Sequence, residues 1–86
     1  MPEISRFYGI VIRMFFNEHE PPHFHAAYDE QTVLISIEML AVIDGRLAPR
    51  ALGLVTEWAA LHQAELLDRW ERARQSEKLE RIDPLP

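Results

Sequence analysis

Cysteine is absent from the 86-residue sequence, and so is any long apolar run. Without thiols the chain forms no disulfide, and its metal ligands are restricted to histidine, aspartate and glutamate. No segment approaches the roughly 18 apolar residues of a membrane span, and the N-terminus lacks a basic region followed by an apolar one. These absences exclude zinc fingers and predict a cytoplasmic protein with no membrane partner.

Positive charge is also scarce. Nine lysines and arginines against fourteen aspartates and glutamates give a net charge of -5, which disfavours a general nucleic-acid binder because that affinity comes mainly from neutralising phosphates. Residues 1–16 are the exception, with Arg6 and Arg13 against the single acid Glu3. A composition of 48% hydrophobic and 27% charged residues is typical of a folded chain, here one domain over residues 1–86.

Residues 7–16, FYGIVIRMFF, have the composition of a β-strand. The pattern predicts a single central strand, with one fully buried face and one partly covered face. The buried face would carry the even positions Tyr8, Ile10, Ile12, Met14 and Phe16. The partly covered face would carry the odd positions Phe7, Gly9, Val11, Arg13 and Phe15.

The rest of the β-rich half, residues 1–45, predicts a hairpin followed by one further short strand. Apolar residues alternate over 23–28 and again over 33–38, with a short polar connection between the two segments. Residues 40–43 offer a fourth strand, closed by a turn at Asp44 and Gly45. The sequence therefore predicts three strands, with four as the alternative.

The helical half spans residues 46–76. Apolar residues recur there at spacings of three and four, and Pro49 suits a first helical position. The segment predicts either one bent helix or two helices joined near His62, with Trp58 and Trp70 in the core. His62 is expected to pack as a buried or half-buried residue, and residues 77–86 form an extended tail anchored by apolar side chains.

Together these elements predict an α+β fold. A small antiparallel sheet of three or four strands would be packed on one face by one or two C-terminal helices. Side chains on the other face would stand on the open side of the sheet. Alternation places five polar residues there: Arg13, His23, His25, Ser36 and Glu38.

The segment EHEPPHFH, residues 18–25, holds three of the four histidines. His23 and His25 would point the same way from one strand and divide proton removal from proton donation, because the imidazole pKa lies near cellular pH. Arg13 would stabilise an anionic intermediate, and Glu38 would serve as an auxiliary base. This arrangement predicts metal-independent cleavage of a phosphodiester such as RNA.

Two other interpretations of the histidines remain open. His23 and His25 with His19 or Glu20 would bind zinc or nickel. Alternatively, the double proline is only a rigid entry to a strand, with Phe24 in the core and the histidines exposed or hydrogen-bonded to the preceding loop. Arg13 has a separate structural alternative, which is to pair with Glu38 or Asp29 across the sheet.

A non-enzymatic alternative is a protein-binding module. A partly uncovered apolar face with Phe7, Val11 and Phe15 would dock a protein partner or a second copy of the chain. The function would then be recognition, and the chain would form a heteromeric complex or a homodimer.

The segments PEISRFYGIVIRM, EHEPPHFH and LAPRALGLVTEWAALHQAELLDRW together resemble DUF4160, a family of short bacterial domains of unknown function. The resemblance implies a prokaryotic cytoplasmic protein that acts as the toxin-like member of a toxin–antitoxin pair, with a small antitoxin-like partner. His19, His23 and His25 match the histidine-rich motif of the family, and Arg6 and Arg13 fall in or beside its opening segment. The acidic net charge departs from the basic character of RNA-directed toxins and counts against nuclease action.

Overall fold

The computed structural model describes residues 2–86, and its chain begins with a β-hairpin. Strands β1 (Glu3–Phe7) and β2 (Ile10–Arg13) pair antiparallel through a turn at Tyr8 and Gly9. These two residues have φ of 50° and 81°, and positive φ at both central positions is what a type I′ hairpin turn requires. The single strand predicted over residues 7–16 is therefore wrong.

The turn also changes which side chains face the core. Phe7 is the cross-strand partner of Ile10, so the two share a face, whereas an unbroken strand would put them on opposite faces. Phe7 is accordingly buried, and its predicted place on an open face is wrong. Tyr8 in the turn and Phe16 beyond the end of β2 are 60% and 44% exposed, although both were predicted to be buried.

Five strands form one antiparallel sheet in chain order. The hairpin is followed by β3 (His23–Tyr28), β4 (Gln31–Ser36) and β5 (Val42–Gly45), each paired with its neighbour. The fourth strand predicted at residues 40–43 is found as β5, two residues further along the chain. The turn predicted at Asp44 and Gly45 is wrong, because both residues lie within β5 and pair with β4. The count exceeds the predicted three or four because residues 7–16 are divided by a turn.

Two helices follow, α1 (Pro49–Leu61) and α2 (Gln63–Arg74). Pro49 begins α1, as predicted. The helices are separated at His62, whose φ of -122° and ψ of 24° lie outside the helical region. Of the two alternatives, one bent helix or two, the structure shows two, and His62 is half-buried beside Trp58 as expected.

The core lies between the helices and one face of the sheet, which confirms the α+β layer arrangement. Trp58 of α1 is fully buried, with its ring 5.4 Å from that of Phe7 and 5.9 Å from that of Phe24. Trp70 of α2 is buried near the start of β3. Both tryptophans are therefore core residues, as the helical spacing predicts.

The tail closes the outer edge of the hairpin. Ile82 N–H donates a hydrogen bond to the Ile4 carbonyl at 2.7 Å, and Trp58 Nε1–H donates one to the Asp83 carbonyl at 2.8 Å. Ile82 and Leu85 are buried, so the predicted apolar anchoring of the tail is confirmed. Within residues 2–86, neither helix combines the length and apolarity needed to cross a bilayer.

Gly45, the last residue of β5, offers a direct test of the pairing between β4 and β5. Its φ is 80°, and a Cβ added there would lie 2.3 Å from the Thr32 carbonyl oxygen. Gly45→Ala should lower the free energy of unfolding by about 1–3 kcal/mol, because left-handed backbone strains an alanine. Gly53→Ala is the matched control: its Cβ would meet open space within α1, so it should raise stability by about 0.5–1 kcal/mol. Urea titrations followed by circular dichroism measure both, and equal midpoints for the two variants would contradict this backbone conformation and the close approach of β4.

Candidate functional site

A loop over residues 14–22 connects β2 to β3 and is tied down at both sides. Asn17 N–H donates a hydrogen bond to the Ala73 carbonyl at the end of α2, at 3.3 Å. On the other side, Ile37 N–H donates to the Pro22 carbonyl at 3.0 Å. These anchors turn the loop back over the start of β3.

The loop brings one carboxylate onto two imidazoles. Glu18 Oε1 lies 2.8 Å from His25 Nε2 and 3.2 Å from His23 Nε2. The two imidazole ring centres are 5.4 Å apart. We call Glu18, His23 and His25 the histidine–glutamate cluster; its three candidate ligand atoms all lie within 4.8 Å of one another.

His23 is the most constrained member of the cluster. Its residue is 6% exposed, and its ring packs 5.1 Å from that of Trp70. Nδ1 lies 2.8 Å from the Pro21 carbonyl oxygen, and since a carbonyl only accepts, we assign the proton to Nδ1. The other ring nitrogen, Nε2, has no hydrogen-bond partner in residues 2–86. Its 3.2 Å separation from Glu18 is an ion-pair distance without hydrogen-bond geometry, so we treat the atom as unpartnered.

His25 occupies the more open side of the cluster. Its side chain is 24% exposed and its Nε2 makes the 2.8 Å contact with Glu18. The Phe15 ring stands edge-on to the imidazole at 4.6 Å. Arg13 is the residue directly opposite His25 on β2. Packing by Phe15, which follows β2 in the chain, therefore restrains the orientation of the His25 ring.

The structure brings together some of the predicted catalytic residues. His23 and His25 are adjacent, and Arg13 neighbours His25 in the sheet. Both imidazoles were expected on an open face, but Trp70 covers His23, so that expectation is wrong for this residue. Glu38 lies beyond β4, and its carboxylate makes no hydrogen bond or ion pair in the described chain.

The predicted cross-strand partners of Arg13 are not found. Neither Glu38 nor Asp29 forms an ion pair with it among residues 2–86. Ser36, expected on the open side, is buried, and its hydroxyl accepts a hydrogen bond from Met39 N–H at 3.0 Å. The Ser36 hydroxyl therefore stabilises the turn between β4 and β5.

Glu18 is the site residue that the sequence did not single out. The predicted third metal ligand was His19 or Glu20, but His19 is exposed and Glu20 pairs with Arg74 at 3.2 Å. The sequence does contain a signal for a third ligand, since Glu18, His19 and Glu20 are all candidate metal ligands. Only the path of the loop determines which of them reaches the imidazoles.

A shallow cavity of about 270 Å³ adjoins the cluster. Leu34 and Ile43 line it from the sheet and Pro21 from the loop. A larger cleft of about 360 Å³ lies at the other end of β3, lined by Tyr8, Tyr28 and apolar residues of α1. That cleft contains none of the three cluster residues.

The cluster has the dimensions of a metal site. Zinc binds imidazole nitrogen and carboxylate oxygen at about 2.0–2.2 Å, which places tetrahedral ligand atoms about 3.4 Å apart. The separations from Glu18 Oε1 to the two imidazole nitrogens, 2.8 and 3.2 Å, are close to that value, and all three atoms lie within 4.8 Å of one another. Three protein ligands also leave a coordination position for water or substrate, as catalytic zinc sites do.

Comparison with known proteins gives one family. A family model described as "Domain of unknown function (DUF4160)" matches residues 9–71. No curated protein and no solved structure matches the chain. The matched region contains the whole histidine–glutamate cluster and Trp70, and it excludes all of β1 and all of the tail.

Proposed function

This chain belongs to the DUF4160 family, whose description assigns no activity, and we propose that it binds one divalent transition-metal ion, zinc or nickel. The ligands are His23 Nε2, His25 Nε2 and a Glu18 carboxylate oxygen. The observation that carries the proposal is the buried His23 Nε2, which has no hydrogen-bond partner and faces a carboxylate. Buried polar atoms without a partner are rare in native proteins and call for an explanation such as an ion.

A metal ion satisfies this geometry better than a proton does. A proton on His23 Nε2 would improve one contact, whereas a cation between the three atoms would bind all of them. The hydrogen bond from Nδ1 to the Pro21 carbonyl also suits a ligand, because metal-binding histidines characteristically donate the other ring N–H to a carbonyl or carboxylate. This bond fixes Nε2 as the ligand atom before the ion arrives.

The open coordination position favours a chemical role over a structural one. Structural zinc sites are normally closed by four protein ligands, whereas catalytic sites use three and keep one position for water. A bound divalent ion would act as a Lewis acid and lower the pKa of that water. The buried tryptophan core gives the fold a source of stability other than the ion.

The test compares two neighbouring loop residues. Wild-type protein should contain about one zinc or nickel per chain by elemental analysis, or take up that amount in calorimetry after treatment with a chelator. Glu18→Ala should weaken zinc binding by about 10-fold or more, since even outer-shell changes cost 10–100-fold. His19→Ala is the matched control, because His19 borders the same cavity but lies outside the cluster.

Two results would count against a metal site. One is wild-type protein that takes up no zinc or nickel in calorimetry. The other is equal loss of affinity in Glu18→Ala and His19→Ala, which would mean that the loop as a whole attracts ions without a defined site.

The toxin-like ribonuclease function, with an antitoxin-like partner and RNA as substrate, stays a prediction. His23 is buried under Trp70 with Nδ1 bonded to the backbone, which supports a ligand in preference to a group that exchanges protons with RNA. The protein-binding or dimerising alternative also stays a prediction. Its apolar face loses Phe7 to the core and retains Val11 and Phe15, both half-buried.

A further inference from the structure

We infer that the metal ion at the histidine–glutamate cluster takes a small oxyanion, and that Arg13 binds the same oxyanion beside the metal. This inference rests on the proposed function and adds to it a ligand class and a specificity residue. It begins from the row of side chains that crosses the sheet next to the cluster.

The row places a guanidinium beside a metal ligand. Glu3 is the partner of Arg13 in β1, and Arg13 is the partner of His25 in β3. Directly opposed residues of antiparallel strands share a face and have Cβ atoms about 4.5–5.5 Å apart. Arg13 therefore stands next to His25, and its long side chain can span the distance to a ligand bound at the ion.

Arg13 is also left without a counter-ion. Its neighbour Glu3 is already bound by Arg6 at 2.7 Å and by Arg81 at 3.0 Å. Hydrogen bonds from these two arginines lower the pKa of Glu3 to about 2, so this carboxylate is committed elsewhere. In the part of the chain that the structure describes, Arg13 makes no ion pair and no side-chain hydrogen bond, although it is half-buried.

The charge at the site would then be opposite to that of the whole chain. The protein carries a net charge of -5, but a divalent ion with one carboxylate and one guanidinium leaves the loaded cluster positive. A positive potential concentrates ligands of the opposite sign, and the second carboxylate at the cavity, Glu20, is already paired with Arg74 at 3.2 Å. The planar guanidinium also matches the two oxygens of a carboxylate or phosphate.

The size of the cavity limits the ligand. About 270 Å³ lies just below the roughly 300–1,000 Å³ of typical small-molecule sites, which fits a single small group. Leu34 and Ile43 provide an apolar wall for a substituent, and Glu18 and His23 are the cluster residues that line the cavity. Arg13 lies outside the cavity, on the β2 side of His25, so it would contact the oxyanion and not the substituent. The geometry therefore points to a small phosphate ester or carboxylic acid with an apolar substituent, and the oxyanion is the shared feature.

The experiment uses phenyl phosphate and benzoate as probes of zinc-loaded protein. Wild-type protein should bind at least one of them in calorimetry, and preference between them identifies the oxyanion as phosphate or carboxylate. Arg13→Gln should weaken that binding by about tenfold, the effect expected for one charge-assisted contact, while zinc affinity stays unchanged. Arg50→Gln is the control, because it removes the same charge at the distant cleft.

Zinc affinity is measured separately, so the two proposals fail in different ways. Failure to bind zinc overturns the proposed function and this inference with it. Normal zinc binding without binding of either probe, or with equal probe affinity in Arg13→Gln and wild type, overturns the inference alone. Equal probe affinity with and without zinc would do the same, since the oxyanion would then not be bound by the ion.

Discussion

Trp58→Ala is expected to remove about 3–5 kcal/mol of folding free energy, the usual cost of deleting a large buried aromatic side chain. A domain of this length has a total stability of about 4–13 kcal/mol, so the variant would lose about a quarter or more of it. The reason is position: the fully buried indole contacts Phe7 of the hairpin and Phe24 of β3, and its Nε1–H bonds the tail at Asp83. The midpoint of urea unfolding, followed by circular dichroism, measures the loss.

Leu61→Ala is the control for Trp58→Ala. Leu61 ends the same helix but is 65% exposed, and surface substitutions usually change stability by less than about 0.5 kcal/mol. Trp58→Phe separates packing from the tail hydrogen bond and should cost less than alanine does. If Trp58→Ala unfolded at the same urea concentration as Leu61→Ala, the indole would not be the contact that joins sheet, helix and tail.

The helical half of the fold was predictable because its signals are local. Spacings of three and four define α1 and α2, Pro49 defines the start, and the same stripe places both tryptophans in the core. Whether the helix breaks at His62 could not be predicted, because His62 lies on the stripe and carries no breaker signal. The break depends on how α1 and α2 each pack on the sheet.

The hairpin was harder, because a tyrosine stands where turn residues are expected. Tyr8 adopts positive φ inside the apolar segment 7–16, and its only local signal is Gly9. Within one strand, residues two apart point to the same face of the sheet. Across a two-residue turn this alternation changes phase, so that Phe7 and Ile10, three residues apart, share a face. One missed turn therefore moved Phe7 to the wrong face and removed one strand from the count.

The candidate site divides in the same way. Alternation along β3 put His23 and His25 on one side of the strand, and the structure places their rings together. The position of the third member, Glu18, depends on the path of a loop that contains two prolines. The burial of His23 depends on where α2 places Trp70. Both are tertiary contacts, which residue spacing does not determine.

His23→Leu should abolish metal binding without destabilising the metal-free protein. The substitution removes a buried nitrogen that lacks a partner, and such an atom costs about 1–3 kcal/mol. Leucine adds apolar burial against Trp70, which offsets the lost hydrogen bond from Nδ1 to Pro21, worth about 0.5–1.5 kcal/mol. The metal-free variant should therefore be at least as stable as metal-free wild type in urea titrations with a chelator present.

Addition of zinc should stabilise wild type but not His23→Leu. At a free zinc concentration about 100 times the dissociation constant, wild type should gain about 2.7 kcal/mol of stability by mass action, whereas His23→Leu should gain almost nothing. His62→Leu is the matched control: His62 is a half-buried histidine outside the cluster, paired with Glu65, and should keep the full response to zinc.

A metal-free His23→Leu protein several kcal/mol less stable than wild type would show that Nε2 is protonated and paired with Glu18. The cluster would then be a structural ion pair. A histidine that serves only as a metal ligand should instead lower the stability of the metal-free protein.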